Sequence, residues 1–567
     1  MSRISRAQFL KLSGKYALAA LSFSSISRYL TACTESGEGG GGKYAVRMLG
    51  PSREIGHKMR DHFGVADKIG KADRAGVSKS YSIVIVGAGM AGLSAGWALL
   101  KRGVTDFCIL ELEDHAGGNS ASGKNNVSAY PWGAHYVPLA NSESVLVREL
   151  FKDLGIIISG EYDEKPFYNE LFICHDPQER LFKDGQFQEG LMPKRGLQKE
   201  DAEQIKAFQE MVHALKEKKG SDGKPVLAIP VDFSSADSDF RDWDKISFAQ
   251  WLKDKGFDSR PLLWYLNYCC RDDYGATCEN VSAWAGLHYF AGRRGRAKNA
   301  EENAVVTWPE GNGFLVNKLK EILKEKILTE RGVMAIKSSD GKSGDDNAGA
   351  ASSKDKLRLY CFDKGSAAGA SLISADKVLY CAPRFLAPYI VEGYRLDQDE
   401  KPTYAPWLVA NITVTKLLKA RGLGTAWDNV CYNSDSLGYV VATHQNVTTR
   451  ATSSVITYYY PLSSLDPVVA RRELTTRSIN YWKNLIIKDL SKMHPDIEST
   501  IVSMDLWPWG HGMVSPRTGY IWQNRSKLPG KHGRVYFAHS DMSGISNFEE
   551  AQYQGVTAVE NMLKDKT

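Results

Sequence analysis

The stretch Ile83-Val84-Ile85-Val86-Gly87-Ala88-Gly89-Met90-Ala91-Gly92-Leu93-Ser94-Ala95-Gly96 leaves the chain little freedom. Its β-branched apolar run reads as a buried strand, and the Ala- and Leu-containing run that follows reads as a helix. Between them stand glycines at GxGxxG spacing. Gly87 allows a tight turn, Gly89 lets the backbone approach a pyrophosphate, and Gly92 lets helix and strand pack closely. Ala91 lies in the first helical turn, whose free N–H groups and partial positive charge attract phosphate. The next strand-like run, "DFCILELE", carries Glu111 nineteen residues past Gly92. An acid there accepts hydrogen bonds from ribose hydroxyls. A βαβ nucleotide-binding unit is predicted, though the turn alone does not choose between FAD and NAD.

A chain of 567 residues is too long for one core and predicts two or more domains. Strand-like runs recur at "VMAIK" and "ADKVLYCAP", and Lys337 to Lys356, rich in Gly, Ser and Asp, reads as a solvated loop. Aromatic-rich stretches fill 160–300 and 400–520 and suit a second domain over a cofactor. The formal charge is +6, but five of those charges (Arg3, Arg6, Lys11, Lys15, Arg28) fall in the first 32 residues, which hold no acid. The near-neutral remainder gives nucleic-acid binding no support. No apolar run reaches the roughly 20 residues that span a bilayer.

The N-terminus reads as an export signal. A basic start precedes "YALAALSFSSI" and then Leu30-Thr31-Ala32-Cys33, which resembles a bacterial lipobox with Cys33 as the lipidated residue. Ser5-Arg6-Ala7-Gln8-Phe9-Leu10-Lys11 resembles a twin-arginine signal with Ala7 in place of the second arginine. The expectation is an exported, periplasmic or cell-envelope lipoprotein that meets the membrane only through its lipid, with "SGEGGGG" as a tether. The nine cysteines form no pair of CxxC motifs, so no zinc site is expected, and sequence assigns no disulfide.

"LELEDHAGGNSAS" supplies Glu111 followed by the doublet Gly117-Gly118, and so resembles the flavin amine oxidase superfamily. Asn119 stands where that family usually has Arg. "YPWGAHYVPLANS" resembles the next family block, with Gly133, Ala134 and His135 passing the flavin ring. "KILTERGVMAIK" resembles the strand whose backbone pairs with adenine, here Val333. "VYFAHSDMSGISNFEEAQYQGVTAVENML" resembles the closing motif, which implies that Asp541 contacts the ribityl-phosphate arm. Phe548 and Glu549 then open a helix aimed at the pyrimidine end of the ring. The resemblance implies non-covalent FAD, since the family's covalent Cys has no match after Cys431. It implies a small-molecule substrate and an electron acceptor that is oxygen, a quinone or a redox carrier.

"GPSREIGHKMRD", the signal-like N-terminus and the form of the closing motif are similar to bacterial spermidine dehydrogenases, exported enzymes with FAD and in some cases haem. That likeness offers His57 as a haem b ligand, with His62 or a Met as the second, against a plain solvated helix face. For a cationic amine, Asp272, Asp273 and Tyr274 offer acids beside an aromatic, and helix capping or pairing with Arg271 is the structural alternative. Trp284, His288 and Tyr289 cluster at helical spacing, which suits core as well as site. Trp509 and His511 fall where the family places an aromatic beside the flavin. Asn411 falls where many members carry a water-holding Lys, and its presence favours a dehydrogenase. His444 and His511 are the candidate bases.

The expected fold is α/β, with a GxGxxG Rossmann-like FAD-binding domain interleaved with a mixed α+β substrate domain. The boundaries are 1–33 signal, 34–80 tether and helical segment, 81–139, 301–395 and 520–567 FAD-binding domain, and 140–300 and 396–519 substrate domain. Three functions stay open: an FAD enzyme oxidising an amine, an FAD desaturase or oxidase of an apolar substrate (carotenoid or protoporphyrinogen type), and a non-catalytic lipoprotein of this fold. An acidic pocket near the flavin favours the first, a greasy tunnel the second, and a blocked flavin face the third.

Overall fold

The computed structural model describes residues 44–62, 64–338, 356–365, 369–397, 401–416, 418, 421–446 and 453–565. The segment 1–33 expected to be an export signal, with Cys33, and most of the Lys337–Lys356 loop lie outside these residues.

The apolar runs of the sequence assemble into one sheet. Its parallel part orders Ile327–Leu328, Phe107–Leu110, Val77–Val86 and Ala370–Tyr380 side by side. Ala370–Tyr380 then changes partner along its length. Its first half pairs antiparallel with Leu357–Asp363, and its last three residues pair parallel with Val535–Phe537. Strands buried on both faces read as continuous apolar runs, and Phe107–Leu110 is buried throughout. The strand before the glycine turn starts at Val77, with four exposed residues ahead of Tyr81.

The helix after the turn, Met90–Lys101, is buried from Met90 to Leu99. It packs between Gly313–Leu323 and the C-terminal helix Phe548–Lys564. Two glycines set these crossings. A Cβ on Gly96 would meet Leu323 at 2.8 Å, and one on Gly555 would meet the Ala91 carbonyl oxygen at 2.3 Å.

A second, eight-stranded sheet orders Ala45–Met48, Ile501–Val514, Tyr404–Val414, Ser454–Pro461, Tyr439–Val441, Asp428–Cys431, Glu179–Lys183 and Gln186–Glu189. Tyr404–Val414 is buried along its whole length. Leu408, Ala410 and Ile412 pack on the helices Pro467–Thr476 and Ile479–Leu490, while Ala405, Trp407 and Val409 face an aromatic cluster with Trp132, Trp427, Tyr459 and Trp507. That period of two puts one face of the strand toward helices and the other toward the site. A helical layer, including Phe248–Asp254, Arg260–Tyr274 and Ala283–Ala291, closes the end near Tyr404 and Val514.

The segment before the glycine turn does more than tether. It contains the helices Arg53–Arg60 and Val65–Ala75. It also adds Ala45–Met48 as a parallel edge strand on Ile501–Val514, secured by Arg47, whose guanidinium reaches both oxygens of Asp505 at 2.7 Å. Among the described residues no helix is long and apolar enough to cross a membrane.

Candidate functional site

The glycine turn forms a tight cradle. Gly87 has φ +98°, a region that favours glycine, and a Cβ on Gly92 would sit 2.0 Å from the Gly87 carbonyl oxygen. Gly117 (φ +130°) and Gly118 (φ +54°) lie against this turn, Gly117 bridging to Gly89. Glu111 closes the cradle. Its carboxylate accepts the Ala88 N–H at 2.8 Å and the Glu113 N–H at 3.0 Å. Burial outweighs those donors and raises its pKa. Val333 sits two residues beyond Arg331, whose N–H meets the Glu111 carbonyl, at a bulge in its strand.

A wall continues from the cradle toward the second sheet. Asn119 donates through Nδ2 to the Gly512 carbonyl, and its own carbonyl accepts the Ala134 N–H at 2.9 Å. A Cβ on Gly133 would meet that same Asn119 oxygen at 2.5 Å. Trp509 Nε1 donates to the Trp132 carbonyl at 2.7 Å, and Trp132 stacks on Trp507 with ring centroids 4.4 Å apart. Asp541 is fully buried. One of its oxygens accepts the Arg384 N–H at 2.8 Å and the Tyr404 hydroxyl, with His539 Nδ1 at 3.2 Å. Burial would raise this carboxyl, but His539, Tyr404 and the Arg384 N–H outweigh it and hold it below the usual range. Its other oxygen, Oδ1, is buried and meets no donor among the described residues. Phe548 stacks on Phe151 at 5.7 Å and Glu549 is 2% exposed, so both belong to the packed start of the C-terminal helix. Burial pushes Glu549 up to about 7.

Beyond His135 lies an acid-lined chamber. The His135 ring stands 4.6 Å from Tyr459, 5.1 Å from Tyr136 and 5.5 Å from Trp427, and burial lowers its pKa to about 4. Tyr459 donates to the Gly133 carbonyl at 2.8 Å. Behind these rings stand Glu179, Asp272, Asp273 and Asp428. Glu179 and Asp428 are direct partners across the parallel strands Glu179–Lys183 and Asp428–Cys431, an arrangement that like charges disfavour. Asp272 and Asp273 come from the last turn of Arg260–Tyr274. Arg293 is the cation among them. It pairs with Asp273, donates to Tyr136 at 3.2 Å and lies over the Tyr289 ring at 4.4 Å.

The charges do not balance. Burial, then Asp273 and Glu179, push Asp272 up to about 7 against the pull of Arg293. Burial, then Glu179 and Asp272, raise Asp428 well above the carboxylate range, and burial raises Glu179. Enclosed as they are, Asp273 and Arg293 keep 17% and 25% of their side chains accessible, so they line a space. Among the described residues no group of His, Cys, Asp or Glu is arranged to hold a metal ion.

Several candidates are placed elsewhere. Tyr274 is core: its hydroxyl donates to the Ala285 carbonyl at 2.8 Å. Trp284 and His288 stack at 4.9 Å, both buried, and His288 bonds the Ala228 carbonyl. Asn411 is structural. It donates to the Pro131 carbonyl at 2.9 Å and accepts from Thr457 at 2.7 Å, so it ties its strand to its neighbours. His444 bonds the His175 carbonyl at 2.8 Å and fixes the turn before Glu179 rather than facing the acids. His511 leaves the wall and stacks on Phe385 at 4.4 Å, in a separate pocket of about 600 Å³ that Arg60, Tyr389, Arg395 and Lys401 also line. Burial, then Arg471 and His57, lowers it to about 4. Sequence reasoning missed Glu179, Asp428 and Arg293. Each of the two acids opens a short strand of mixed polarity, ERLFK and DNVC, and nothing in the sequence joins the two strands.

These residues fit FAD. The cradle has the close backbone approach that a pyrophosphate needs, Glu111 keeps one lone pair on each oxygen, and Asp541 Oδ1 awaits a hydroxyl donor.

Comparison with known proteins bears on the same parts. A family model for an NAD(P)-binding Rossmann-like domain matches residues 85–154. Monomeric sarcosine oxidase of Arthrobacter sp. (strain TE1826) is 31% identical over 104 residues, 17% of this chain and 27% of that protein. Polyamine oxidase 7 of Oryza sativa subsp. japonica is 38% identical over 63 residues, 11% of this chain and 13% of that protein. The chain thus spans about a quarter and an eighth of the curated relatives it matches. The solved structure of a putrescine oxidase bound to putrescine aligns with 86% of this chain and 99% of its own, at a TM-score of 0.60 and 14% identity. The architecture is that of the amine oxidases: a Rossmann-like nucleotide-binding part interleaved with a mixed α+β part.

Proposed function

We propose, from this amine-oxidase fold, that the protein is an FAD-dependent oxidoreductase whose substrate is a cationic amine held in the chamber beside Gly133–His135. The observation that carries this reading is a group of four carboxyls behind an aromatic wall, three of them sharing the one guanidinium of Arg293. Burial and neighbouring acids raise Asp272 and Asp428, and a cation held among them would favour their charged forms. Tyr136, Trp427 and Tyr459 suit the aliphatic stem and cation of an amine. An apolar desaturase or oxidase substrate would have no use for these acids, and a non-catalytic lipoprotein would have no use for the spare acceptor on Asp541.

When bound, FAD supplies the acceptor for a hydride. The chain's own residues do the rest. Gly89 and the first turn of the helix Met90–Lys101 would bring backbone N–H groups to the phosphates, and Glu111 would take ribose hydroxyls. Asp541 Oδ1 takes a hydroxyl donor beside the wall. Asp272, with a pKa near 7, is matched to hold or release a proton near neutrality at its carboxylate, as an ammonium that must become neutral requires.

On the same reading the substrate is a polyamine of the spermidine kind and the chain is exported, possession of the Cys33 lipid following from the lipobox. Haem would use His57. In support, His57 is near enough to His511 to lower its pKa, and the pocket beside His511 is lined by Arg60, Arg395 and Lys401 with Phe385 and Tyr389. Cations over an aromatic slot suit a flat anionic group. Met59 packs against Gly332 in a hydrophobic cluster instead.

The test is the visible spectrum of the purified protein under anaerobic titration. Flavin bands near about 450 nm bleach with spermidine or putrescine and not with a neutral polyene. Bands that persist with every amine overturn the amine reading. A Soret band lost in His57→Ala supports haem, and its absence from the wild type removes haem.

A further inference from the structure

We propose that Cys270 and Cys278 are a disulfide-forming pair that clips the acid-bearing end of the helix Arg260–Tyr274. Their sulfurs lie 3.7 Å apart, and both side chains are buried. The approach is built into the backbone on both sides. Cys270 stands in the last turns of the helix, which Gly275 ends at φ +59° so that the chain turns back. Cys278 is then pinned twice: its N–H donates to Asn267 Oδ1 at 3.0 Å, and its carbonyl accepts the Ala249 N–H at 2.9 Å. A disulfide bond is about 2.05 Å long, so the two sulfurs together have about 1.7 Å to travel. Cys269, one residue earlier, points away and neighbours Tyr265 and Tyr289.

The surroundings say when the bond forms. Leu266, Tyr274 and Val281 belong to the same apolar cluster as both sulfurs, and burial there raises the Cys270 thiol well above its ordinary value, which slows its attack on a disulfide. The folded pair therefore exchanges slowly, and the bond is made while the chain folds. The oxidant is an external disulfide. One thiolate attacks it to give a mixed disulfide, and the second thiolate displaces the external sulfur. The pair loses two protons and two electrons, and the external disulfide is reduced to two thiols. The closed loop contains Asp272 and Asp273, so the clip fixes the acids that face Arg293. That consequence rests on the proposed amine site, whereas the bond does not.

The protein is refolded in a glutathione and glutathione-disulfide buffer, denatured, and alkylated without reductant. Cys270 and Cys278 are expected to stay unlabelled and to appear in linked peptides lighter by two hydrogens, with both labelled after reduction. Cys269→Ala keeps the pattern, and Cys278→Ala exposes Cys270 to label. Reduction of the wild type lowers the melting temperature by roughly 2 °C and leaves that of Cys278→Ala unchanged. Full labelling of both thiols without reductant, or a link through Cys269, overturns the proposal. A bleached flavin with no disulfide sinks only the clip, and a disulfide with no amine response sinks only the amine site.

Discussion

Glu111 spends one lone pair of each carboxylate oxygen on its own turn, on Ala88 and on Glu113. One pair on each oxygen remains for a ribose. Glu111→Ala removes both uses at once. Hydrogen bonds to a charged acceptor are each worth about 1.5–3 kcal/mol, and about 1.4 kcal/mol is a factor of ten. With two such bonds lost, FAD affinity is expected to fall by about two to four orders of magnitude, so the variant purifies pale and regains part of its colour with added FAD. Substrate preference stays the same, because this turn is remote from the acid chamber. Flavin retained in full through dialysis would mean that the ribose contact lies on another residue. Glu111 was legible because its meaning is local: a strand, a turn and a fixed spacing. The doublet Asp272-Asp273 was legible as chemistry for the same reason. Tyr274, next in line, was not, because at the helix end its side chain turns into the core. Glu179 and Asp428 were invisible because they lie far apart in sequence, on two strands that only the finished sheet brings together.

At the scale of elements, the C-terminal helix Phe548–Lys564 touches Met90–Lys101 at Gly555. The Cβ of any other residue there would stand 2.3 Å from the Ala91 carbonyl oxygen, and backbone cannot step aside as a side chain can. Gly555→Val is expected to push the helices apart and destabilise the protein by about 1–3 kcal/mol, the usual cost of overpacking. It also shifts Phe548 and Glu549 at the helix start, so flavin content falls with the melting temperature. Gly530→Ala, at a position where a Cβ meets nothing within 4 Å, is the control and leaves both unchanged. A Gly555→Val protein with wild-type stability and full flavin would refute the close crossing. The glycine turn, its helix and the parallel strands were readable because apolar runs with glycine punctuation have few other uses. The strand Tyr404–Val414 was harder. Both its faces are buried, so its sequence shows no polar alternation, and Asn411 looked like a site residue where it is a tether to Pro131 and Thr457.

For the whole molecule, buried titrating groups set opposing slopes in pH. Asp272 rises from an ordinary value of about 3.9 to about 7 in the folded protein. Between about pH 4 and 7 the folded state then holds a proton that the unfolded state has lost, and stability falls as pH rises through that window. Asp244 at about 6, Glu549 at about 7 and Glu550 at about 8, all raised mainly by burial, act in the same direction. His135, His288 and His511, each lowered to about 4, act oppositely: the unfolded state takes their protons below about 6.5, and stability is lost as pH falls toward 4. The raised acids outweigh the lowered histidines, so these groups together make the ligand-free protein lose stability as the pH rises from about 5 to 7. A polyamine changes the alkaline side, because it meets Asp272 as a carboxylate. Its affinity should weaken about tenfold per pH unit below pH 7 and level off above, and its stabilisation of the protein should be larger at pH 8 than at pH 6. Asp272→Asn keeps the shape and removes the titration, so its polyamine affinity is weak at pH 8 and loses the break near 7. Melting curves from pH 5 to 9 with and without spermidine, and calorimetry at three of those values, measure both. An affinity that is flat from pH 5 to 8 in the wild type would mean that Asp272 is ionised throughout or does not face the amine.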